Sequence, residues 1–136
     1  MYRTPTANML EYFFEEQRKL VWKTTVHDCC MLLADWVMLL GYNDPAPSLR
    51  NSIETQEEAA RYIESQGSLV DVVQSCCNTI NLPTTTTLSL GVIGVIGSYK
   101  SVHRQWAAIW DGYNWRVRGC NGIVKMSANC LRAWEV

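Results

Sequence analysis

The sequence predicts an α+β fold, with amphipathic helices first and antiparallel strands after them, the helices laid on one face of the sheet. Three observations carry that expectation. Apolar residues recur at helical spacing as far as Ile80. After Pro83 the composition turns to threonine, glycine and spaced aromatics. Turn signals at Asp111-Gly112-Tyr113-Asn114 and Asn121-Gly122 then divide the last third into short strands. The chain has 136 residues, 48% hydrophobic and 18% charged, which suits one core and one domain over 1–136 and excludes a disordered chain.

Asn8 with Glu11 three residues on reads as a capping box, and Met9, Leu10, Phe13 and Phe14 make the first stripe, ending near Leu20. The second helix has the clearest pattern: Cys29, Leu32, Leu33, Trp36, Val37 and Leu40 fall on one face before Gly41 stops it. Asn43-Asp44-Pro45-Ala46-Pro47 is a connection, after which Thr55 and Glu58 cap a third helix that ends near Gly67. A fourth starts behind Ser68, with Leu69, Val72, Val73, Cys76, Cys77 and Ile80 as its stripe. Thr84 to Thr87 reads as strand or loop, and the sheet is expected from the chain after Thr87. Its strands are Leu88 to Ile96, Trp106 to Trp110, Trp115 to Val117, Ile123 to Met126 and Leu131 to Val136.

Twelve basic against thirteen acidic side chains give a net charge of −1, so no cationic surplus points to nucleic acid or to an anionic membrane. No apolar run approaches the roughly 20 residues that span a bilayer. Met1 to Thr6 lacks the basic-then-apolar order of a secretory signal, so export by that route is not expected. Six cysteines occur without a CxxC spacing, which reads as reduced thiols rather than a zinc site or a disulfide framework. Gly91, Gly94 and Gly97 lack the dinucleotide spacing and are better explained by close strand packing. The residues thus point to no cofactor and no metal. Trp106, Trp110 and Trp115 are expected mainly as core, with a sugar- or protein-contact surface as the other use.

His27-Asp28-Cys29-Cys30 is the sharpest candidate site. A thiol at a helix N-terminus meets free N–H groups and the positive end of the helix dipole, which favour thiolate. The other reading of these residues is that Cys29 opens a buried stripe and Asp28 caps the helix.

Here the chain resembles the NlpC-type papain-like cysteine peptidases of peptidoglycan. These carry an Asp-Cys-Ser-Gly-type motif at the start of the central helix, then a glycine-aspartate strand and a strand opening on the catalytic histidine. Asp28-Cys29-Cys30-Met31 matches the first part without the serine-glycine. More closely, Trp22, His27 to Cys30, Ala34-Asp35-Trp36-Val37, Gly41, Asp44-Pro45-Ala46 and Arg132-Ala133-Trp134-Glu135-Val136 look like a prophage-borne branch of small tail-module proteins. The likeness covers nearly the whole chain, most strongly up to Arg50 and from Arg132 onward.

The resemblance implies a papain-like fold with Cys29 as nucleophile and Asp28 beside it. Leu90-Gly91-Val92-Ile93 stands where that family has glycine-aspartate, and Trp106 stands at the histidine position. His103, three residues ahead, is the candidate base, and His27 would have to fold back across the helix start. The expectation is a non-catalytic component of a phage or phage-like tail, at the tip or in assembly. Its partners would be other tail proteins of the hub or baseplate, and its place the virion tail after synthesis in the bacterial cytoplasm. The alternative is an active tail-tip peptidase or amidase cutting peptidoglycan peptides through Cys29.

Overall fold

A computed structural model describes residues 2–136. Four helices precede the main sheet: α1 (Ala7–Arg18), α2 (Cys29–Leu39), α3 (Gln56–Gln66) and α4 (Leu69–Thr79). Six strands follow: β1 (Thr84–Thr85), β2 (Ile93–Gly97), β3 (Gln105–Trp110), β4 (Trp115–Gly119), β5 (Gly122–Met126) and β6 (Cys130–Trp134). They form one antiparallel sheet in the order β1-β6-β2-β3-β4-β5. The α+β class and the helices-then-sheet order are as the sequence predicts. No helix among the described residues is long and apolar enough to cross a membrane.

The helix starts follow capping chemistry. Thr6, Asp28, Thr55 and Ser68 each adopt extended backbone and accept a hydrogen bond from the N–H three residues on. The cap of α1 is therefore Thr6, not Asn8, and this earlier start helps place Leu10, Phe13, Phe14 and Gln17 inward. α1 also ends at Arg18 rather than near Leu20. The guanidinium of Arg118 donates to the carbonyls of Gln17 and Leu20 and satisfies the helix end from the sheet.

α2 lies at the centre of the core. Trp36 is 0% exposed, its Nε1 donates to Gly91 O at 2.9 Å, and its ring meets Phe13 at 5.3 Å between centroids. Burying side chains of this size contributes about 1.5–3 kcal/mol each. α3 has no buried residue and packs outside on α4.

The sheet is buried on both faces. Ile93, Val95, Ala107 and Ile109 join the helices in the main cluster, while Ile96, Ala108, Trp115, Val117 and Ala133 form a second one. Gly94 belongs to the second face, where a Cβ would lie 2.8 Å from the Trp115 ring. The strand boundaries differ from expectation: β3 and β5 each start one residue earlier and β4 runs on to Gly119. The sheet begins inside the threonine run, at Thr84. β2 starts at Ile93 rather than Leu88, because Leu90 and Gly91 form a turn, with Gly91 at φ +92°. β6 spans Cys130–Trp134.

Candidate functional site

Asp28 is fully used as a structural cap. Its Oδ1 accepts from Met31 N–H at 2.9 Å and its Oδ2 from Thr25 N–H at 2.8 Å. The loop from Trp22 to Asp28 is thereby tied to the first turn of α2, and Cys29 becomes the first helical residue.

Cys29 is half-buried and touches both apolar clusters. A hydrogen bond from the Cys30 thiol holds the Cys29 thiol below its ordinary pKa. Burial and the Asp28 carboxylate oppose this, and the N–H groups of Ala107 and Cys30 add to it. Cys30 moves the other way, well above the ordinary thiol range, because it is the donor to Cys29 and is itself buried. Of the pair, Cys29 is the thiol whose ionisation is favoured.

Cys29 opens on a cleft of about 400 Å³ between the start of α2, α3 and the strands β3 to β5. Trp22, Asp28, His103, Gln105, Trp106 and Arg118 share its lining. The three predicted site residues, Asp28, Cys29 and His103, are thus brought to one cleft. Their mutual bonding is another matter. His103 is 63% exposed in the turn before β3, and its Nε2 lies 2.8 Å from Glu64 Oε1 on α3. Glu64 is the partner of that imidazole. Trp106 sits half-buried on β3 in the same cluster as Cys29. An indole offers one N–H donor and no acceptor. His27 lies toward Asp35, with its Nδ1 buried and unpartnered.

Two cleft residues were not foreseen. Gln105 is 7% exposed; its Nε2 donates to Ser98 O at 3.1 Å while its buried Oε1 has no partner. Arg118 is 3% exposed. A glutamine opening a strand and an arginine alternating with apolar residues both read as solvent positions, so the sequence holds no local signal for either. Among the described residues, no three His, Cys, Asp or Glu side chains are placed to hold a metal ion.

A short distance from the site, Arg50 clamps α2 to the following loop, with Nη1 2.9 Å from Asp35 Oδ1 and Nε 2.9 Å from Asp44 Oδ2. A cysteine-led central helix, its cap and this clamp lie within residues 3–136, the span matched by the family described as a domain of unknown function, DUF6950. The chain belongs to that family. DUF6950 covers the helices and the whole sheet, so site and scaffold form one family unit. No curated protein and no protein of solved structure matches the chain.

Proposed function

We propose that the chain is a component of a phage or phage-like tail, at the tip or in its assembly, on a papain-like scaffold whose cysteine site does not hydrolyse peptide bonds. The observation that carries the second half is the partner of the imidazole. His103 Nε2 is 2.8 Å from Glu64 Oε1, while Cys29 takes its hydrogen bonds from Cys30 and from the Ala107 N–H. Acyl transfer from an amide needs a base for the thiol and a proton for the leaving amine. Trp106, at the position where the resembling peptidases have histidine, supplies no base.

The papain-like scaffold is supported by a central helix led by Cys29 and packed on an antiparallel sheet that follows it in the chain. The tail assignment rests on the likeness of Trp22, His27 to Cys30, Ala34 to Val37 and Arg132 to Val136 to the prophage-borne branch. Several of those residues have structural work here: Asp35 in the Arg50 clamp, Trp36 in the core, and Trp134 at 0% exposure. Its partners are other tail proteins of the hub or baseplate, and it resides in the virion tail after synthesis in the host cytoplasm.

The test has two arms. Purified particles should contain the chain, and its loss should yield particles with defective tails. Purified peptidoglycan incubated with the protein should release no peptide, and Cys29→Ala particles should remain infectious. The second reading, an active peptidase or amidase, is favoured by the acidified Cys29 thiol and by His103 in the same cleft. Turnover lost in both Cys29→Ala and His103→Ala would establish it and overturn the first.

A further inference from the structure

The net charge of −1 sums two unlike parts. From Asn51 to Asp71 five acids stand with one cation, Arg61. Between Glu16 and Asp28 lie Arg18, Lys19 and Lys23 with no acid, and between Asp111 and Glu135 lie Arg116, Arg118, Lys125 and Arg132, again with none. The fold joins these two cationic stretches, because the Arg118 guanidinium donates to the carbonyls of Gln17 and Leu20.

Where they meet, apolar side chains stand in water. Val21 is 82% exposed, Leu20 37% and Val124, on the edge strand β5, 47%. With Trp22 they line one open depression of about 510 Å³. The loop that carries them is held at both ends. Leu20 N–H donates to Gln17 O, Lys23 N–H donates to His27 O at 3.1 Å, and Lys23 O accepts from Val26 and His27. Val21 is thus a fixed projecting tip. Scattered exposed hydrophobics are ordinary, whereas contiguous ones rimmed by polar groups mark an interaction surface. The rim here is cationic. Arg18 and Lys19 reach Glu15 and Glu16 at 2.6 and 2.9 Å on the exposed end of α1, and such pairs exchange readily for other anions. Lys23 and Lys125 are exposed and enter no ion pair among the described residues.

We infer that this corner docks on the surface of an anionic lipid bilayer. Leu20, Val21 and Trp22 enter the boundary between headgroups and acyl chains, while Arg18, Lys19, Lys23 and Lys125 meet lipid phosphates. Interfacial segments share this order of side chains: an apolar tip, an indole at headgroup level and flanking cations that an anionic leaflet attracts. An acidic protein would match the charge, but a projecting tip needs a partner that yields around it, which a fluid bilayer does. The docking is peripheral, uses none of the Cys29 site and is independent of the tail assignment.

The test mixes the intact protein with vesicles of phosphatidylcholine alone or of phosphatidylcholine and phosphatidylglycerol in equal parts, then floats them on a density gradient. At low salt the protein should float with the mixed vesicles, bind the neutral ones at least about tenfold more weakly, and leave the mixed ones near 1 M salt, where the Debye length is about 3 Å. Val21→Asp should weaken binding by more than about tenfold and Lys23→Gln by about fivefold, with unchanged melting temperatures because both positions are exposed. Tyr113→Ala removes an 88% exposed aromatic beyond the other end of β4 and should leave binding unchanged. No flotation with the mixed vesicles, equal flotation with the neutral ones, or full binding by Val21→Asp would each overturn the inference and leave the tail assignment standing. Binding of a polyglutamate peptide in place of vesicles, lost in Val21→Asp, would overturn it in favour of an acidic protein partner.

Discussion

At the C-terminal end of α2, Trp36, Val37 and Leu40 are at most 1% exposed, and the one polar atom among them, Trp36 Nε1, is bonded to Gly91 O. Two turns earlier, on the same helix, Cys29 is half-buried beside a cleft and its thiol is held below the ordinary range. One end is governed by shape and the other by the direction of nearby N–H and S–H groups. The second Cys-Cys pair has no such lowered member. Cys76 and Cys77 lie in the last turns of α4, where burial raises both and pushes Cys77 up to about 12. What lowers Cys29 is the Cys30 thiol and the N–H groups of Ala107 and Cys30, since Cys30 at the same helix start is itself raised.

The sharpest way to break the comparison is to truncate at each end. Trp36→Ala should cost about 3–5 kcal/mol through its cavity, against about 1 kcal/mol or less for Cys30→Ala, read from denaturant midpoints. Equal midpoints would mean that the ends do not differ in packing. Next in size is the cap: Asp28→Ala frees the N–H groups of Met31 and Thr25 and should cost about 1–2 kcal/mol. Asp28→Asn separates charge from capping. Because the carboxylate opposes ionisation of Cys29, the amide should lower the pH at which Cys29 is alkylated. In the unmodified protein near neutral pH, a thiol reagent followed by peptide mass mapping should find Cys29 labelled more than about tenfold ahead of Cys77. Uniform labelling would place Cys29 with the inert core thiols.

The smallest effect is at the Arg50 clamp. The guanidinium hydrogen bond holds the Asp44 carboxyl below its usual range. A depressed carboxylate pKa contributes stability that is present above the unfolded-state value near 4 and lost as pH falls through the folded-state value. Arg50→Met should therefore flatten the acid limb of the stability curve below about pH 5, by about 1 kcal/mol or less for so accessible a pair. An unchanged limb would show that the clamp positions the loop without stabilising it.

How far the sequence foretells these features depends on whether the cause is local. The four stripes and three of the four caps could be read directly, because spacing and capping side chains act within a few residues. The cysteine at the head of α2 was legible for the same reason. The early end of the β3–β4 pairing, after Ile109↔Arg116, was not: both strands have good local patterns, and the Ala107 N–H beyond it meets the Cys29 sulfur. Arg116 and Arg118 mislead in the same way. They alternate with Trp115 and Val117 as solvent residues would, yet Arg116 lies 4.9 Å over the Phe14 ring and Arg118 holds the end of α1. The Glu64–His103 contact joins residues on two separate elements, and no spacing rule connects them.

The place of β6 in the sheet has a consequence for the order in which the protein is made. β6 inserts between β1 and β2, so one flank of Ile93–Gly97 waits for a strand synthesised well after it. At ~5–20 residues per second, the stretch from Gly97 to Cys130 takes on the order of 2–7 s to emerge. For that interval the nascent chain displays an apolar edge to any neighbour translated from the same message. Gly94 and Gly97 sit in that edge, and glycine lowers its intrinsic strand tendency.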